Sequence, residues 1–255
     1  VGATSTYGIM RDTLQPTGNA TLLADSGPLM PAPRSGTPEQ YPSLPLHNKI
    51  RQVWGLDEPG GLVASYGGSF PAFAAGSHID LHLPNGMVRS YSLVNPSSET
   101  QRYVVAVLKD RASRGGSRSV HEQLRVGMQI RISAPRNNFA LHEDATHTVL
   151  VAGGIGVTPL IAMATTRRAQ GAAVRMHYAG RSRAQMAFVP ELQALLADQL
   201  HLHVDEEAGA PLNVAALLDA CAADDVLYVC GPKPLLDAVL AQAQARGWPR
   251  ERVHF

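Results

Sequence analysis

The stretch Ala152-Gly-Gly-Ile-Gly-Val-Thr-Pro159 decides how this chain is interpreted. It follows the apolar run Thr148–Val151 and precedes the apolar segment Leu160–Ala164. A short strand, a glycine turn and a helix start together are typical of a nucleotide-phosphate site, because the free N–H groups of a helix N-terminus attract anions. Taken alone, the segment also fits a glycine-rich turn that holds no ligand.

Five residues of this turn are candidates for contact with a bound nucleotide. Glycine lets the backbone approach a pyrophosphate because it has no Cβ, and a threonine adds a hydroxyl. A proline suits the first turn of the helix that follows. The spacing is tighter than the Rossmann pattern Gly-x-Gly-x-x-Gly. The candidates are Gly153, Gly154, Gly156, Thr158 and Pro159.

Composition narrows the classes of protein. The chain has 255 residues, of which 45% are hydrophobic, and a net charge of +1, which argues against nucleic acid as the main partner. It has no membrane-spanning apolar run and no signal-peptide pattern, so we expect a cytoplasmic protein with no membrane partner. Cys221 and Cys230 are too few for a four-ligand metal site, and the ten histidines lack ligand spacing, so no metal is expected.

Three regions differ in their pattern. Residues 1–45 are rich in proline and are predicted to be a linker without regular structure. Residues 46–144 hold short strands between turns and one helix near Ser119–Arg125, which predicts an antiparallel barrel. Residues 145–255 alternate strands with helices, which predicts a parallel sheet covered on both faces. Ligands of such sheets bind at the carboxyl ends of the strands, where Cys230-Gly-Pro232 also falls.

A further motif, Arg89-Ser-Tyr-Ser92, lies in a predicted strand. In an extended chain Arg89 and Tyr91 point to one side and Ser90 and Ser92 to the other. A cation can hold a phosphate while a neighbouring aromatic ring covers a planar group. On spacing alone, an ordinary half-buried strand with one exposed arginine fits as well.

Four motifs together resemble one family. In chain order they are Arg89-Ser-Tyr-Ser92, Gly115-Gly-Ser117, the glycine turn and Cys230-Gly-Pro232. This series resembles the ferredoxin–NADP reductase superfamily, and within it the phthalate dioxygenase reductase branch, which includes vanillate demethylase reductases. The resemblance covers about residues 46–255. It implies an antiparallel Greek-key flavin-binding barrel over 46–144 and a parallel-sheet NAD(P)-binding domain over 145–255.

The resemblance also implies roles for individual residues. Arg89 would bind the flavin phosphate, with Tyr91 and Ser92 against the isoalloxazine ring. Ser117 and the backbone of Gly115 and Gly116 would add phosphate contacts. The glycine turn would hold the pyrophosphate and ribose of the nicotinamide cofactor. Cys230, Gly231 and Pro232 would lie beside the nicotinamide ring. Ser92 and Cys230 would position hydride transfer, which needs no acid or base from the protein.

The choice of cofactors rests on weaker signals. The family likeness favours FMN over FAD. An acidic residue after the strand ending at Tyr178 would favour NADH, but the chain has Arg181, Ser182 and Arg183 there, which could hold the 2′-phosphate of NADPH. The sequence therefore slightly favours NADPH. The alternative is that Arg181 and Arg183 are exposed loop cations that bind no phosphate.

The family likeness implies electron flow from NAD(P)H through FMN to a [2Fe–2S] centre and then to an oxygenase. The ferredoxin signature Cys-x4-Cys-x2-Cys is absent from this chain, so we expect the [2Fe–2S] domain elsewhere, on the same full-length polypeptide. The proline-rich segment resembles the tether of a self-sufficient cytochrome P450. A fusion of this kind is therefore the favoured arrangement. The alternatives are the reductase component of a Rieske-type dioxygenase or O-demethylase, a stand-alone flavin reductase, and a flavin-free module of the same fold.

Overall fold

The computed structural model describes residues 70–99, 102–110, 112–125, 129–142 and 144–255, and the backbone of three earlier strands. The predicted linker over residues 1–45 lies outside the described residues, apart from the short strand Thr21–Leu22. These two residues pair with a later strand, so the expectation of no regular structure is wrong at this point.

Twelve strands and six α-helices lie in the described part of the chain. The strands are β1 Thr21–Leu22, β2 Leu46–Trp54, β3 Gly60–Ser65, β4 His78–His82, β5 Val88–Ser92, β6 Tyr103–Val107, β7 Gln129–Ile132, β8 His147–Gly153, β9 Ala173–Gly180, β10 Leu200–Val204, β11 Asp225–Cys230 and β12 Val253–His254. The helices are α1 Gly116–Gln123, α2 Val157–Ala169, α3 Val189–Leu196, α4 Asp205–Ala208, α5 Val214–Asp219 and α6 Lys233–Ala245.

The first seven strands form an antiparallel sheet. Its order is β5-β4-β7-β2-β3-β6, with β1 beside β2. A bridge between Leu93 and Val105 joins the two outer strands, so the sheet closes on itself. The connections from β3 to β4 and from β6 to β7 join strands that are not neighbours, as a Greek-key barrel requires. Its interior is apolar, and Val120 of α1 packs there with Leu81 and Ile132.

The remaining strands form a parallel sheet with the order β10-β9-β8-β11-β12. Helices α2 and α3 cover one face, where Leu160 and Leu192 pack with Met176. Helices α5 and α6 cover the other face, where Leu217 and Val239 belong to a second cluster. The predicted combination of an antiparallel barrel with a covered parallel sheet is confirmed. No helix among the described residues is long and apolar enough to cross a bilayer.

The barrel and the parallel sheet share one hydrophobic contact. Val94 and Val104 of the barrel belong to the same buried cluster as Leu160 and Ile161 of α2. Gly76 is part of this junction, because a Cβ there would lie 3.0 Å from Cε of Met163 in α2. Burial of apolar surface therefore holds the strands near β5 against the helix that follows the glycine turn.

Several boundaries differ from the sequence prediction. Helix α1 begins at Gly116, three residues early, because Gly115 has the left-handed φ of 107° that starts it. The sequence pattern predicts a helix over Met186–Gln199, but helix α3 begins at Val189, because Phe188 is buried with a φ of 60° and interrupts a helical path. Helix α4 and strand β12 were not predicted, since four and two residues are too short to show a period.

The glycine turn after β8 packs directly against the turn after β11. These strands are parallel neighbours, with Ala152 opposite Cys230. A Cβ on Gly156 would overlap the carbonyl oxygen of Cys230, and a Cβ on Gly153 would lie 2.7 Å from Cδ of Pro232. A Cβ on Gly231 would lie 2.9 Å from Cα of Gly153. The two turns can touch only because these three positions carry no side chain.

This contact predicts the effect of adding one methyl group. We expect Gly156→Ala to lower the free energy of unfolding by about 3 kcal/mol, because its Cβ meets rigid backbone. Gly171→Ala is the matched control: Gly171 has a φ of 69° but open space around its Cβ position, so only backbone strain of about 1 kcal/mol is expected. Denaturant unfolding measures both. Equal losses in the two variants would contradict the close approach of the turns.

Candidate functional site

A cavity of about 360 Å³ lies where the barrel, α2 and the two glycine turns meet. It brings together three of the residues that the sequence singled out, Ser92, Pro159 and Cys230. They come from strand β5, the first turn of α2 and the end of β11. The complete lining is Gly76, His78, Ser90, Ser92, Asn138, Phe139, Pro159, Cys230 and Phe255.

Strand β5 divides its side chains between two surroundings. Ser90 and Ser92 line the cavity, as does His78, which pairs with Ser92 across the sheet. Tyr91 lies opposite Ile79 and packs against the apolar core of the barrel. Burial raises the pKa of Tyr91 to about 12, so its hydroxyl stays protonated at neutral pH. Side chains alternate along the strand as predicted, so Tyr91 packs in the barrel core and Ser92 lines the cavity.

A charge network that the sequence did not reveal supports this side of the cavity. The Ser90 hydroxyl donates to Oδ1 of Asp80 at 2.6 Å, and Arg136 donates to Oδ2. Partial burial acts to raise the pKa of Asp80, but these two hydrogen bonds together with the neighbouring charges outweigh it and the pKa is lowered. Burial and the Arg136 charge lower the pKa of His78, so its ring is neutral at pH 7. Ser90 is therefore held in place beside Ser92.

Arg89 lies at the start of α1, away from the cavity lining. A Cβ built on Gly116 would come within 2.8 Å of Nε of Arg89, so the guanidinium lies against the helix N-terminus. The N-cap residue Gly115 has no side chain to cap this helix, and the Ser113 hydroxyl accepts hydrogen bonds from the Gly115 N–H at 3.1 Å and the Arg118 N–H at 3.5 Å. A cation beside a helix N-terminus suits a phosphate group. The structure thus places the Arg89 side chain against Gly116, the residue that follows Gly115.

The two predicted hydroxyl contacts already have partners within their own turns. The Ser117 hydroxyl accepts a hydrogen bond from the Asp110 N–H at 3.2 Å. The Thr158 hydroxyl donates to the Ile155 carbonyl at 3.0 Å, and Thr158 is only 7% exposed. Both hydroxyls therefore hold the shape of the turn, and any contact with a phosphate is additional to that role.

The four glycines at the edge of the parallel sheet have different reasons to be glycine. Gly153, Gly156 and Gly231 are fixed by the contact between the turns. Gly154 has a φ of 53° and nothing within 4 Å of its Cβ position. This open space is where a nucleotide could approach the backbone.

The Cys230 thiol is placed for packing rather than for reaction. It lines the cavity, and burial raises its pKa above the usual value, so it is a neutral thiol at physiological pH. Pro232 follows at the start of α6. Cys221 lies elsewhere, where its Sγ donates to the Leu217 carbonyl at 3.4 Å.

The cations expected to hold a 2′-phosphate follow β9. Arg183 pairs in a two-pronged contact with Glu207, with Nε to Oε1 at 2.9 Å and Nη2 to Oε2 at 2.7 Å. Arg181 is exposed, and its carbonyl accepts a hydrogen bond from the Glu206 N–H at 3.0 Å. The sequence did not predict the acidic residues, because they follow the next strand, β10.

Possible metal ligands were also compared. Among the described residues, ligand atoms of His147, Asp224 and Asp225 lie within 4.8 Å of one another, but Asp225 is ion-paired with Arg175. His177, His201 and His203 stack on β9 and β10, where Nδ1 of His177 lies 3.2 Å from Nε2 of His203. Burial and the neighbouring charges lower the pKa of His177 to about 3.

Six of the nine residues of the cavity wall were not among the predicted site residues: Gly76, His78, Ser90, Asn138, Phe139 and Phe255. Asn138 and Phe139 follow β7, and Phe255 follows β12. The amide of Asn137 donates to the Ala75 carbonyl at 2.9 Å, and its oxygen accepts from the Phe139 N–H at 3.0 Å, which fixes this loop. The family resemblance extends over Ser133–Phe139, but this run carries no local pattern that assigns a role to Asn138 or Phe139.

The fold and this cavity define a two-part protein in which a barrel meets the edge of a parallel sheet where the strands have their carboxyl ends. A family model for the N-terminal domain of proteins like the dimethylamine monooxygenase subunit DmmA matches residues 128–253. The solved structure of a phthalate dioxygenase reductase, described as modular and as carrying electrons from pyridine nucleotides to [2Fe–2S], is 33% identical with a TM-score of 0.78. It matches 86% of this chain and 69% of its own. The chain belongs to this phthalate dioxygenase reductase branch of the ferredoxin–NADP reductase superfamily.

Other relatives belong to oxygenase systems. The vanillate O-demethylase oxidoreductase of Pseudomonas putida is 47% identical over 75% of this chain and 61% of its own length. An intact type IV self-sufficient cytochrome P450 monooxygenase matches 88% of this chain and 29% of its own, with 34% identity and a TM-score of 0.79. The chain spans 56–65% of the length of eight curated relatives. The family fold implies a flavin and a pyridine nucleotide.

The raised pKa of Cys230 predicts slow alkylation. Only the thiolate reacts, so the folded protein should react with iodoacetamide more slowly at Cys230 than the urea-unfolded chain at pH 8. The difference should shrink as the pH rises above 9 and the folded thiol ionises. Peptide mass spectrometry at several pH values measures the rate. Faster labelling of Cys230 in the folded protein at pH 7 would identify it as an activated thiol.

Proposed function

We propose that this chain is the flavin- and nucleotide-binding part of an NAD(P)H-dependent reductase. It passes electrons from the nicotinamide through FMN to a [2Fe–2S] centre, and from there to an oxygenase. Residues 46–144 form the flavin-binding part and residues 145–255 the nucleotide-binding part. The [2Fe–2S] centre belongs to a ferredoxin domain, on the same full-length polypeptide.

The cavity supports this proposal more than any other observation. It joins Ser92, from the strand assigned to the flavin, to Pro159 and Cys230, from the turns assigned to the nicotinamide. Two planar rings that exchange a hydride must meet face to face, and the protein contributes mainly by holding them there. A cavity between the two assigned surfaces is the arrangement that such positioning requires.

Each part of the chain has a distinct task in this proposal. Arg89 and the N-terminus of α1 hold the flavin phosphate, and Ser92 faces the flavin ring. Gly154 provides open backbone for the nucleotide pyrophosphate, and Cys230 packs beside the nicotinamide. Bound flavin would accept a hydride and release electrons singly. Cys230 and His78 are neutral at pH 7, so these two side chains place no charge beside the rings.

FMN is the flavin that we propose, on the likeness to the phthalate dioxygenase reductase branch. Its single phosphate needs one anion site, and Arg89 with the start of α1 supplies one. The flavin released from the denatured protein identifies it directly. Release of FAD would contradict this part of the proposal.

For the oxygenase, we propose a cytochrome P450 on the same polypeptide. The match to an intact self-sufficient P450 and the proline-rich segment over residues 1–45 support this arrangement. The alternative is a Rieske-type O-demethylase or dioxygenase system, supported by the 47% identity to the vanillate O-demethylase oxidoreductase. Sequencing the parent gene separates them. A reading frame that starts just before Val1, without a haem domain upstream, would exclude the fusion.

Replacement of Arg89 tests the flavin site. We expect Arg89→Ala to retain less than about one tenth of the wild-type flavin after gel filtration, because a charge-assisted phosphate contact is lost. Arg118→Ala is the matched control: it removes an exposed cation from α1, the helix that Arg89 approaches from β5, and should retain full flavin. The flavin-to-protein absorbance ratio measures occupancy. Full occupancy in Arg89→Ala would show that the phosphate is held elsewhere.

A further inference from the structure

The carboxyl ends of β9 and β10 carry an ion pair whose position bears on nucleotide choice. These strands are parallel neighbours, with Gly180 opposite Val204, so the residues that follow them lie at the same edge of the sheet. Arg181 to Arg183 follow β9, and the acidic helix α4 follows β10. The hydrogen bond from the Glu206 N–H to the Arg181 carbonyl ties the two segments together.

Arg183 meets Glu207 through two parallel hydrogen bonds of 2.9 and 2.7 Å. This two-pronged geometry is the one by which an arginine would also grip a phosphate. The hydrogen bonds raise the pKa of Arg183 and lower that of Glu207, so both groups are charged across the physiological range. Glu207 thus occupies the Nε–Nη2 edge of Arg183, one of the edges by which a guanidinium can grip a phosphate.

The local charge also opposes a further anion. Arg181 and Arg183 carry two positive charges, whereas Asp205, Glu206 and Glu207 carry three negative charges, a local sum of −1. An exposed ion pair is easily broken by itself. However, breaking it would leave the Glu207 carboxylate next to a doubly charged phosphate, and like charges at short distance repel.

We propose that Glu207 is a specificity-determining residue that keeps Arg183 from binding a 2′-phosphate, so the chain favours NADH over NADPH. The inference rests on the proposed nucleotide-binding function of this sheet edge. It also explains how a segment with two arginines can accept an adenosine ribose that carries a free 2′-hydroxyl. The usual acidic partner of that hydroxyl follows the second strand of the fold, whereas here the acid comes from the neighbouring strand.

Three variants of the flavin-loaded protein test the role of Glu207. Calorimetry gives the affinity ratio of adenosine 2′,5′-bisphosphate to adenosine 5′-monophosphate, and steady-state assays give the kcat/KM ratio of NADPH to NADH. We expect Glu207→Gln to raise both ratios about tenfold, because Arg183 is released. Glu206→Gln removes the same charge from the same helix and should change the ratios less than about threefold. Arg183→Ala combined with Glu207→Gln should return both ratios to the wild-type value.

The outcomes separate this inference from the proposed function. Equal gains in Glu206→Gln and Glu207→Gln, a gain that persists without Arg183, or a wild-type protein that prefers the 2′-phosphate would each overturn the role of Glu207 alone. Failure of every variant to bind either adenosine nucleotide would overturn the nucleotide-binding function and this inference together. High salt should weaken the gain in Glu207→Gln, because the surface charges are screened.

Discussion

The backbone contact between the turn after β8 and the turn after β11 determines which residues reach the cavity. Strands β8 and β11 are parallel neighbours, so their turns meet at one edge of the sheet. Gly156 lies so close to the Cys230 carbonyl that no side chain fits between them. The contact directs the Cys230 thiol into the cavity and leaves Gly154 as the open position of the turn. Gly153, Gly156 and Gly231 are required by the packing of the two turns against each other. Of the four glycines, only Gly154 has open space for a ligand.

The second constraint is the apolar contact between the barrel and α2. Val94 and Val104 share a buried cluster with Leu160, and this cluster holds β5 opposite the start of α2. Ser92 and Cys230 line the same cavity for that reason, and the network from Arg136 through Asp80 to Ser90 stabilises its barrel side. Arg89 stays outside the lining, at the start of α1. The phosphate end and the ring end of a flavin would therefore be held by separate features of the barrel.

Much of this was accessible from the sequence, and the reasons are local. The glycine turn after β8 and the alternation in Arg89–Ser92 are read directly from short-range geometry, and both were predicted correctly. The lining by Phe139 and Phe255 was not, because residues far apart in the chain meet only after the sheets pack. The same limit applies to Arg183. The sequence suggested that it was available to bind a phosphate, but in the structure it forms an ion pair with Glu207, which follows the next strand. The left-handed Phe188 was missed because buried tertiary contacts, and not local propensity, fix its conformation.

An anaerobic titration of the purified, FMN-loaded chain with NADH tests most directly whether the cavity joins a flavin to a nicotinamide. We expect the visible absorbance of the flavin to disappear with stoichiometric NADH, because both rings would meet between Ser92 and Cys230. No iron–sulfur or haem partner is needed for this step, so the isolated chain is sufficient. A protein that binds no flavin, or whose bound flavin stays oxidised in excess NADH and NADPH, would contradict the proposed function of this cavity.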